Sequence, residues 1–344
     1  MKPQTRILSG NLCIVNQILP HRHLWAWECY LTGMKNHWNP ASIPMSKDIE
    51  QWRSRTALTD DERLVVRRCL GFFAGSESLV ANNLLLSVFR YCSDAECRQY
   101  ILKQAQEEAL HNHTVVHVCS SLGLDISEVY EAYRNIPSIR AKDDFLMGIT
   151  TDLNRPDFAA RMNSGVPGIG RAARQEFLRN LVTYYIICEG MLFYAGFAML
   201  LSFKRFNKLP GICEQIAYTL RDEVVHVKFG TKLINTIVKE EPELWTKEFQ
   251  EETVRHIFRA IDLEVTYVNE VLPRGVLGLS ADLFLQYMRF IANERAAGLG
   301  LAPLFKGAQH PFPWMAEVIE LRKQKNFFET HPNEYEQNSM VDDL

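Results

Sequence analysis

Residues 181–203 (LVTYYIICEGMLFYAGFAMLLSF) constrain the fold more than any other part of the chain. They are apolar on nearly every side of a helix, and Glu189 is the one charged residue among them. A helix of this kind is buried on most of its sides. We therefore expect an all-α protein in which long antiparallel helices form a bundle and shorter helices pack outside it.

The rest of the chain has the same helical character. Apolar residues recur three and four positions apart, and both Thr59 with Glu62 and Ser93 with Glu96 have the form of a capping box. We expect residues 1–325 to form one domain and the polar residues 326–344 to be a mobile tail. The predicted helices cover residues 24–35, 60–91, 94–122, 126–152, 170–204, 211–239, 244–270 and 279–299.

Composition narrows the function classes. The 344 residues carry 38 lysines and arginines against 41 acidic residues, with no extended basic run, so we expect no nucleic-acid partner. No segment reaches about 18 uninterrupted apolar residues, and the N-terminus has no apolar core of signal-peptide type, so we expect no membrane and a cytoplasmic location. The eight cysteines include no CxxC pair, which favours buried reduced thiols.

Two histidines stand in a repeated pattern. Of the ten histidines, only His111 and His226 have a glutamate three residues earlier, and these glutamates are Glu108 and Glu223. Residues three apart share one helix face. Such a pair taken alone is typical of a solvated helix face, but both pairs lie inside otherwise apolar stretches.

Each pair is preceded by an isolated glutamate in an apolar helix, Glu77 before the first and Glu189 before the second. Four buried carboxylates beside two imidazoles are costly unless cations compensate them. Two divalent ions would bring the site close to neutrality, and this donor set suits iron and manganese. Bundles of the ferritin-like class hold dinuclear metal centres with this arrangement. A hydrolytic zinc site is disfavoured, because it usually has three protein ligands and an open position.

The residues also resemble a known family across nearly the whole chain, the radical-generating small (beta) subunit of class I ribonucleotide reductase. The resemblance implies a ferritin-like fold, a homodimer, activation of O₂ at the metals, and a large alpha subunit as partner. It rests on the order Trp38, Glu77, Glu108, His111, Glu189, Asp222, Glu223, His226 and Tyr335.

The resemblance assigns roles to three of these residues outside the metal set. Asp222 would link His111 to Trp38 by hydrogen bonds, which orients a metal ligand and places an oxidisable ring nearby. Tyr335 would relay the radical to the alpha subunit, and the end of the C-terminal tail would dock there.

Val115 departs from the family pattern. In most members the residue four after this histidine is the tyrosine that stores the radical, and no tyrosine lies between Tyr100 and Tyr130 here. The chain therefore resembles the tyrosine-less subgroup known from chlamydial enzymes, which favours a manganese–iron centre over a di-iron one. Glu77, where many relatives have aspartate, agrees with that subgroup, and we expect His117 to be structural.

Two alternatives use the same scaffold. One is an R2-like oxidase that binds a long-chain fatty acid beside its metals and also lacks the radical tyrosine. The other is an iron-storage bundle of ferritin type. Neither alternative explains Trp38, Asp222 and Tyr335 together.

Overall fold

The computed structural model describes residues 6–8, 15–166 and 168–315. Throughout these residues the regular secondary structure is helical, and the one β-type contact is an isolated bridge between Val276 and Leu279. The prediction of an all-α fold is confirmed. The tail at residues 326–344 lies outside the described residues.

The first half of the chain contributes short and long helices in alternation. They are α1 (Leu24–Lys35), α2 (Ser46–Arg53), α3 (Asp60–Asn83), α4 (Phe89–Tyr91), α5 (Ala95–Leu122), α6 (Ile126–Tyr130) and α7 (Ala132–Asn135). The second half continues with α8 (Pro137–Thr150), α9 (Phe158–Met162), α10 (Ile169–Leu181), α11 (Phe193–Ser202), α12 (Pro210–Glu240), α13 (Lys247–Val271) and α14 (Ala281–Gly298). Two π-helical segments, Leu84–Val88 and Val182–Leu192, join α3 to α4 and α10 to α11.

The predicted helix over 126–152 is wrong, because the chain breaks twice there. Ile136 is extended, with φ −109° and ψ 110°, and Pro137 starts a new helix. Proline lacks the N–H that a continuing helix needs and pushes the preceding residue out of the helical region. Helices α2 and α9 were not predicted at all.

The two predicted capping boxes have different outcomes. At Thr59 both hydrogen bonds of the box are present, with Glu62 as the partner. At the start of α5 the cap is Asp94, whose carboxylate accepts from the Cys97 N–H at 2.9 Å. The predicted box at Ser93 is therefore wrong: the Ser93 hydroxyl donates to the Ile7 carbonyl, and the cap at Asp94 is a single hydrogen bond rather than a box.

Four long elements enclose the centre of the bundle. Helix α3 packs on α5, and α12 packs on the Val182–Leu192 segment and on α11, while contacts of α11 with α3 and of α12 with α5 close the ring. Two helical stretches, Asp60–Tyr91 and Ile169–Phe206, are long and apolar enough to cross a membrane. The most apolar window of the second is entirely buried by the fold, so protein covers its apolar surface.

Helix α2 fixes the start of α12. The two carboxylate oxygens of Asp48 accept hydrogen bonds from the N–H groups of Gly211 and Ile212, at 2.8 and 2.9 Å. A carboxylate at a helix N-terminus satisfies donors that the helix itself leaves open. This contact sets the axial position of α12, which carries three of the predicted site residues.

The cysteine prediction is confirmed for the described residues. All seven described cysteines are buried and free. Cys13 lies outside the described residues.

Candidate metal centre

The six residues predicted as metal ligands converge in the middle of the bundle. All six are buried, and none has more than 2% of its surface exposed. They come from four elements, with Glu77 on α3, Glu108 and His111 on α5, Glu189 on the Val182–Leu192 segment, and Glu223 and His226 on α12.

The six form two overlapping groups of four, each with its ligand atoms within 4.8 Å of one another. Glu108 and Glu223 belong to both groups, together with Glu77 and His111 in one and with Glu189 and His226 in the other. We call these the His111 position and the His226 position. A carboxylate shared by two positions can bridge two ions, so the arrangement is that of a dinuclear site.

Both imidazoles turn the same nitrogen towards the shared carboxylates. His111 Nδ1 lies 3.2 Å from Glu223 Oε1 and 3.6 Å from Glu108 Oε2. His226 Nδ1 lies 3.1 Å from Glu108 Oε1 and 3.2 Å from Glu223 Oε2. Each shared carboxylate therefore offers one oxygen to each position, and Nδ1 is the nitrogen available to an ion.

The electrostatics of the centre call for cations. Burial raises the pKa values of the Glu77 and Glu189 carboxyl groups well above the usual range of glutamate. The neighbouring groups do not fully compensate the charge that each would carry when ionised. Burial would lower the pKa of both histidines, but the facing carboxylates raise it well above its ordinary value instead. Among the described residues, both oxygens of Glu108 and of Glu223 lack a hydrogen-bond partner. These observations fit a pair of divalent ions.

His111 Nε2, the ring nitrogen directed away from the shared carboxylates, faces the carboxylate of Asp222, as the resemblance implied. Asp222 Oδ2 lies 3.6 Å from His111 Nε2 and accepts a hydrogen bond from Trp38 Nε1 at 2.8 Å. Trp38 has 8% of its surface exposed, and the ring of Tyr218 stacks on it with centroids 5.2 Å apart. A carboxylate behind a metal-binding histidine fixes its ring and its tautomer.

Glu107 is a functional residue that the sequence reasoning missed. Its Oε2 lies 3.0 Å from His226 Nε2, and its Oε1 lies 3.0 Å from Lys103 Nζ. The signal was present in the sequence, because an acidic residue directly precedes the glutamate of both Glu-x-x-His pairs. The acid before each pair holds the histidine of the other pair.

The remaining predicted residues have different placements. Val115 lies on α5 with 3% of its surface exposed, one turn beyond His111. His117 is only half-buried and belongs to neither group. Tyr335 lies outside the described residues.

The comparisons with known proteins agree with this geometry. The family model "Ribonucleotide reductase, small chain" matches residues 15–311. The ribonucleoside-diphosphate reductase subunit beta of Chlamydia pneumoniae is 48% identical over 330 residues, which cover 96% of this chain and 92% of that protein. The corresponding subunit beta of Halalkalibacterium halodurans is 26% identical over 336 residues, which cover 96% of this chain and 91% of that protein.

Solved structures give the same result at the level of the fold. The R2 subunit of ribonucleotide reductase from Clostridium botulinum superposes with a TM-score of 0.81 at 25% identity, covering 91% of this chain and 94% of that one. An R2-like ligand-binding oxidase, solved with a reconstituted Mn/Fe cofactor, superposes with a TM-score of 0.66 at 20% identity, covering 85% and 99%. The expected ferritin-like fold is confirmed.

Proposed function

The chain belongs to the ribonucleotide reductase small-chain family as a ribonucleoside-diphosphate reductase subunit beta, and on this premise we propose that it stores one oxidising equivalent at a dinuclear metal centre and delivers it to a separate alpha subunit. The observation that carries the proposal is the pair of buried four-residue groups that share Glu108 and Glu223. Nucleotide reduction would take place in the alpha subunit, so this protein by itself should not reduce nucleotides.

Six residues would hold the ions: Glu77, Glu108, His111, Glu189, Glu223 and His226. When bound, the two ions would activate O₂ and retain the oxidising equivalent, with a manganese–iron pair favoured over a di-iron pair. Asp222 and Glu107 each hold the outer nitrogen of one histidine, which keeps both Nδ1 atoms directed at the centre. The complete burial of the ligands excludes bulk water from the centre.

The groups that contact the carboxylates behind the two histidines differ, and this difference supports an exit route on the His111 side. Behind His111, Asp222 contacts the indole of Trp38, a ring that can be oxidised. Behind His226, Glu107 contacts the ammonium group of Lys103, which cannot be oxidised in this way. We therefore place the exit route at Trp38, with Tyr335 as the later relay into the alpha subunit.

Val115 is the reason for proposing storage on the metal ions rather than on a tyrosine. A valine side chain cannot become a stable phenoxyl radical, so the residue one turn beyond His111 has no storage role. The 48% identity to the Chlamydia pneumoniae protein supports the tyrosine-less subgroup. The oxidising equivalent would then remain on the metal ions until it is transferred through Trp38 to the alpha subunit.

The same premise supports the partners and the location. The chain would work as a cytoplasmic homodimer, and its C-terminal tail would dock on the alpha subunit. A solved relative with a TM-score of 0.72 is described as a homodimer, the Rnr4 protein of Saccharomyces cerevisiae.

The main alternative is an R2-like ligand-binding oxidase. Asp222 lies 3.6 Å from His111 Nε2 and accepts a hydrogen bond from Trp38. This route from His111 to Trp38 favours the reductase role, because an oxidase that works alone needs no route out of its centre. An iron-storage role likewise leaves this route without a purpose.

The first experiment combines metal analysis with EPR. The metal-free protein is loaded with manganese, with iron, or with both, exposed to air, and assayed with its alpha subunit. We expect two ions per chain, highest turnover with both metals, and no tyrosyl-radical doublet, because position 115 carries no phenol. Val115→Phe should give the same spectrum. A tyrosyl doublet that accompanies turnover would contradict storage on the metals, and fewer than two ions would contradict the centre itself.

The second experiment tests the route out of the centre. Tyr335→Phe and Trp38→Phe should each retain two ions per chain yet abolish turnover with the alpha subunit, since each removes an oxidisable group without touching a ligand. Tyr130→Phe, on α6, is the matched control and should remain active. Retained turnover in either relay variant removes that residue from the route.

A further inference from the structure

Three fully buried residues form a hydrogen-bonded chain on the His226 side of the centre. The Tyr185 hydroxyl donates to Gln104 Oε1 at 2.9 Å, and Gln104 Nε2 lies 3.2 and 3.3 Å from the two oxygens of Glu189. The exposed fraction of each is 0%. Gln104 and Tyr185 belong to neither four-residue group, so their contacts reach the ions only through Glu189.

The chemistry of these three residues decides which way the Gln104 amide faces. As a metal ligand Glu189 is ionised and can only accept hydrogen bonds. If the amide were rotated by half a turn, its oxygen would face this carboxylate, and two acceptors would meet in a dry interior. The phenol donor of Tyr185 engages the amide oxygen on the opposite side. Tyr185 therefore keeps the NH₂ group of Gln104 directed at Glu189, and each carboxylate oxygen keeps a further lone pair for a metal ion.

The fold holds the Tyr185 ring firmly in place. A Cβ atom added at Gly230 would lie 2.1 Å from Tyr185 Cγ, so a side chain on α12 at this point cannot coexist with the ring. The ring of Phe229 packs edge-on against it, with centroids 5.9 Å apart. Because α12 lies this close to the ring, the ring cannot move towards α12, which keeps its hydroxyl beside Gln104.

The His111 position has no equivalent of this arrangement. Among the described residues, the hydrogen bonding of Glu77 is confined to His111 Nδ1, at 3.3 Å, which is itself a predicted ligand. Glu189 is held by residues outside the predicted ligand set, and Glu77 is not. The carboxylate at the His226 position is therefore preorganised by residues outside the ligand set, and the carboxylate at the His111 position lacks that support.

We propose that Tyr185, acting through Gln104, is a positioning residue that fixes the Glu189 carboxylate and makes the two metal positions unequal in affinity. The inference rests on the proposed dinuclear centre. Residues that orient a metal ligand from behind contribute about 10–100-fold to metal affinity. The contribution falls on the His226 position, because Glu189 belongs to that group alone.

The test compares three variants by titration with Mn(II) alone. Tyr185→Phe removes the hydroxyl and keeps the ring, and Gln104→Leu removes the amide. Tyr100→Phe is the matched control, because the Tyr100 hydroxyl is equally buried near His226 but has no hydrogen-bond partner among the described residues. Free Mn(II) is followed by its EPR signal, and the occupancy of each position is read from anomalous scattering in crystals.

We expect Tyr185→Phe to weaken Mn(II) binding by about tenfold or more at the His226 position, with little change at the His111 position. Gln104→Leu should weaken the same position at least as much, and Tyr100→Phe should bind as the wild type does. Adding Tyr185→Phe to Gln104→Leu should cause no further loss, because Tyr185 acts through the amide.

Unchanged binding in Tyr185→Phe, equal weakening at both positions, or the same loss in Tyr100→Phe would overturn the positioning role while leaving the dinuclear centre intact. Additive losses in the double variant would also overturn it, since Tyr185 would then act independently of Gln104. A wild-type protein that holds fewer than two ions per chain when Mn(II) and Fe(II) are supplied together would instead overturn the proposed function, and the positioning role with it.

Discussion

At the scale of single residues, buried carboxyl groups away from the centre are accommodated in two ways. Glu264 Oε2 lies 2.7 Å from Lys142 Nζ, and this ammonium lies 3.5 and 4.0 Å from the ring centroids of Phe72 and Tyr267. Asp143 has no such partner for its Oδ1. Burial raises the pKa of Asp143 to about 7, against the opposing charge of Lys142, so proton uptake takes the place of an ion pair.

Asp143 should make stability depend on pH. Its carboxyl keeps a proton in the folded protein up to about pH 7 but loses it near pH 4 when unfolded. Its contribution to stability is therefore fully present below about pH 4, falls as the pH rises from about 4 to about 7, and changes no further above that. We expect the stability of Asp143→Asn to rise relative to that of the wild type from about pH 4 to 7, measured by urea unfolding of the metal-free protein.

The exposed neighbour Asp144 offers the control. Asp144→Asn should change the stability by no more than about 0.5 kcal/mol, since the Asp144 side chain is 59% exposed. A pH-independent difference for Asp143→Asn would show that Asp143 ionises normally in the folded state.

At the scale of elements, the π-helical segments distinguish the structure from the predicted helices. Periodicity predicted plain helices over 60–91 and 170–204, yet each contains a π-helical segment, Leu84–Val88 and Val182–Leu192. The wider turn changes which residues face one another across the bundle. Arg295 on α14 supports the second segment by donating from Nε to the Gly190 carbonyl at 2.8 Å.

The close approach of α12 to the second π-helical segment depends on Gly230. Gly230→Ala should destabilise the protein by about 1–3 kcal/mol, because the new methyl group overlaps the Tyr185 ring. Thermal unfolding of the metal-free protein measures the loss. Gly148→Ala is the helical control, since a Cβ there meets nothing within 4 Å, and it should be neutral or stabilising by up to about 1 kcal/mol. Equal effects in both variants would mean that the ring shifts freely.

At the scale of the whole molecule, one side of the bundle presents apolar residues to solvent. Leu102 and Val116 lie on the outer side of α5 and are 45% and 46% exposed, and Leu85 near the end of α3 is 48% exposed. The Ser78 hydroxyl donates to Asn112 Oδ1 at 3.1 Å, which fixes the register of α3 against α5. This side of the bundle suits a second copy of the protein.

Charge on this side should therefore disrupt the proposed homodimer. We expect Leu102→Glu combined with Val116→Glu to convert the dimer to a monomer in sedimentation velocity, because like charges would meet across a two-fold interface. Ile126→Glu, at a residue 60% exposed on α6, is the control and should remain dimeric. A dimeric double variant would place the interface elsewhere.

The sequence by itself determined the fold class and the composition of the candidate centre. Helical periodicity and the apolar surroundings of Glu77 and Glu189 predicted a buried site, and the spacing of three residues put Glu108 and His111 on one face. These features are local, because they depend on residue type and on a repeat along a single helix. The helix break at Pro137 is also a local feature, because a proline within the predicted helix 126–152 marks it.

Only the tertiary structure decided which residues stand behind the centre. Glu107 meets His226 and Gln104 meets Glu189 across different helices, at separations of 119 and 85 residues. Such contacts depend on how far each helix slides along its neighbour, which is set by packing at positions such as Gly230 and by the π-helical turn at Val182–Leu192. A repeat along one helix carries no information about that displacement, so the outer contacts of the centre emerge only when the bundle is assembled.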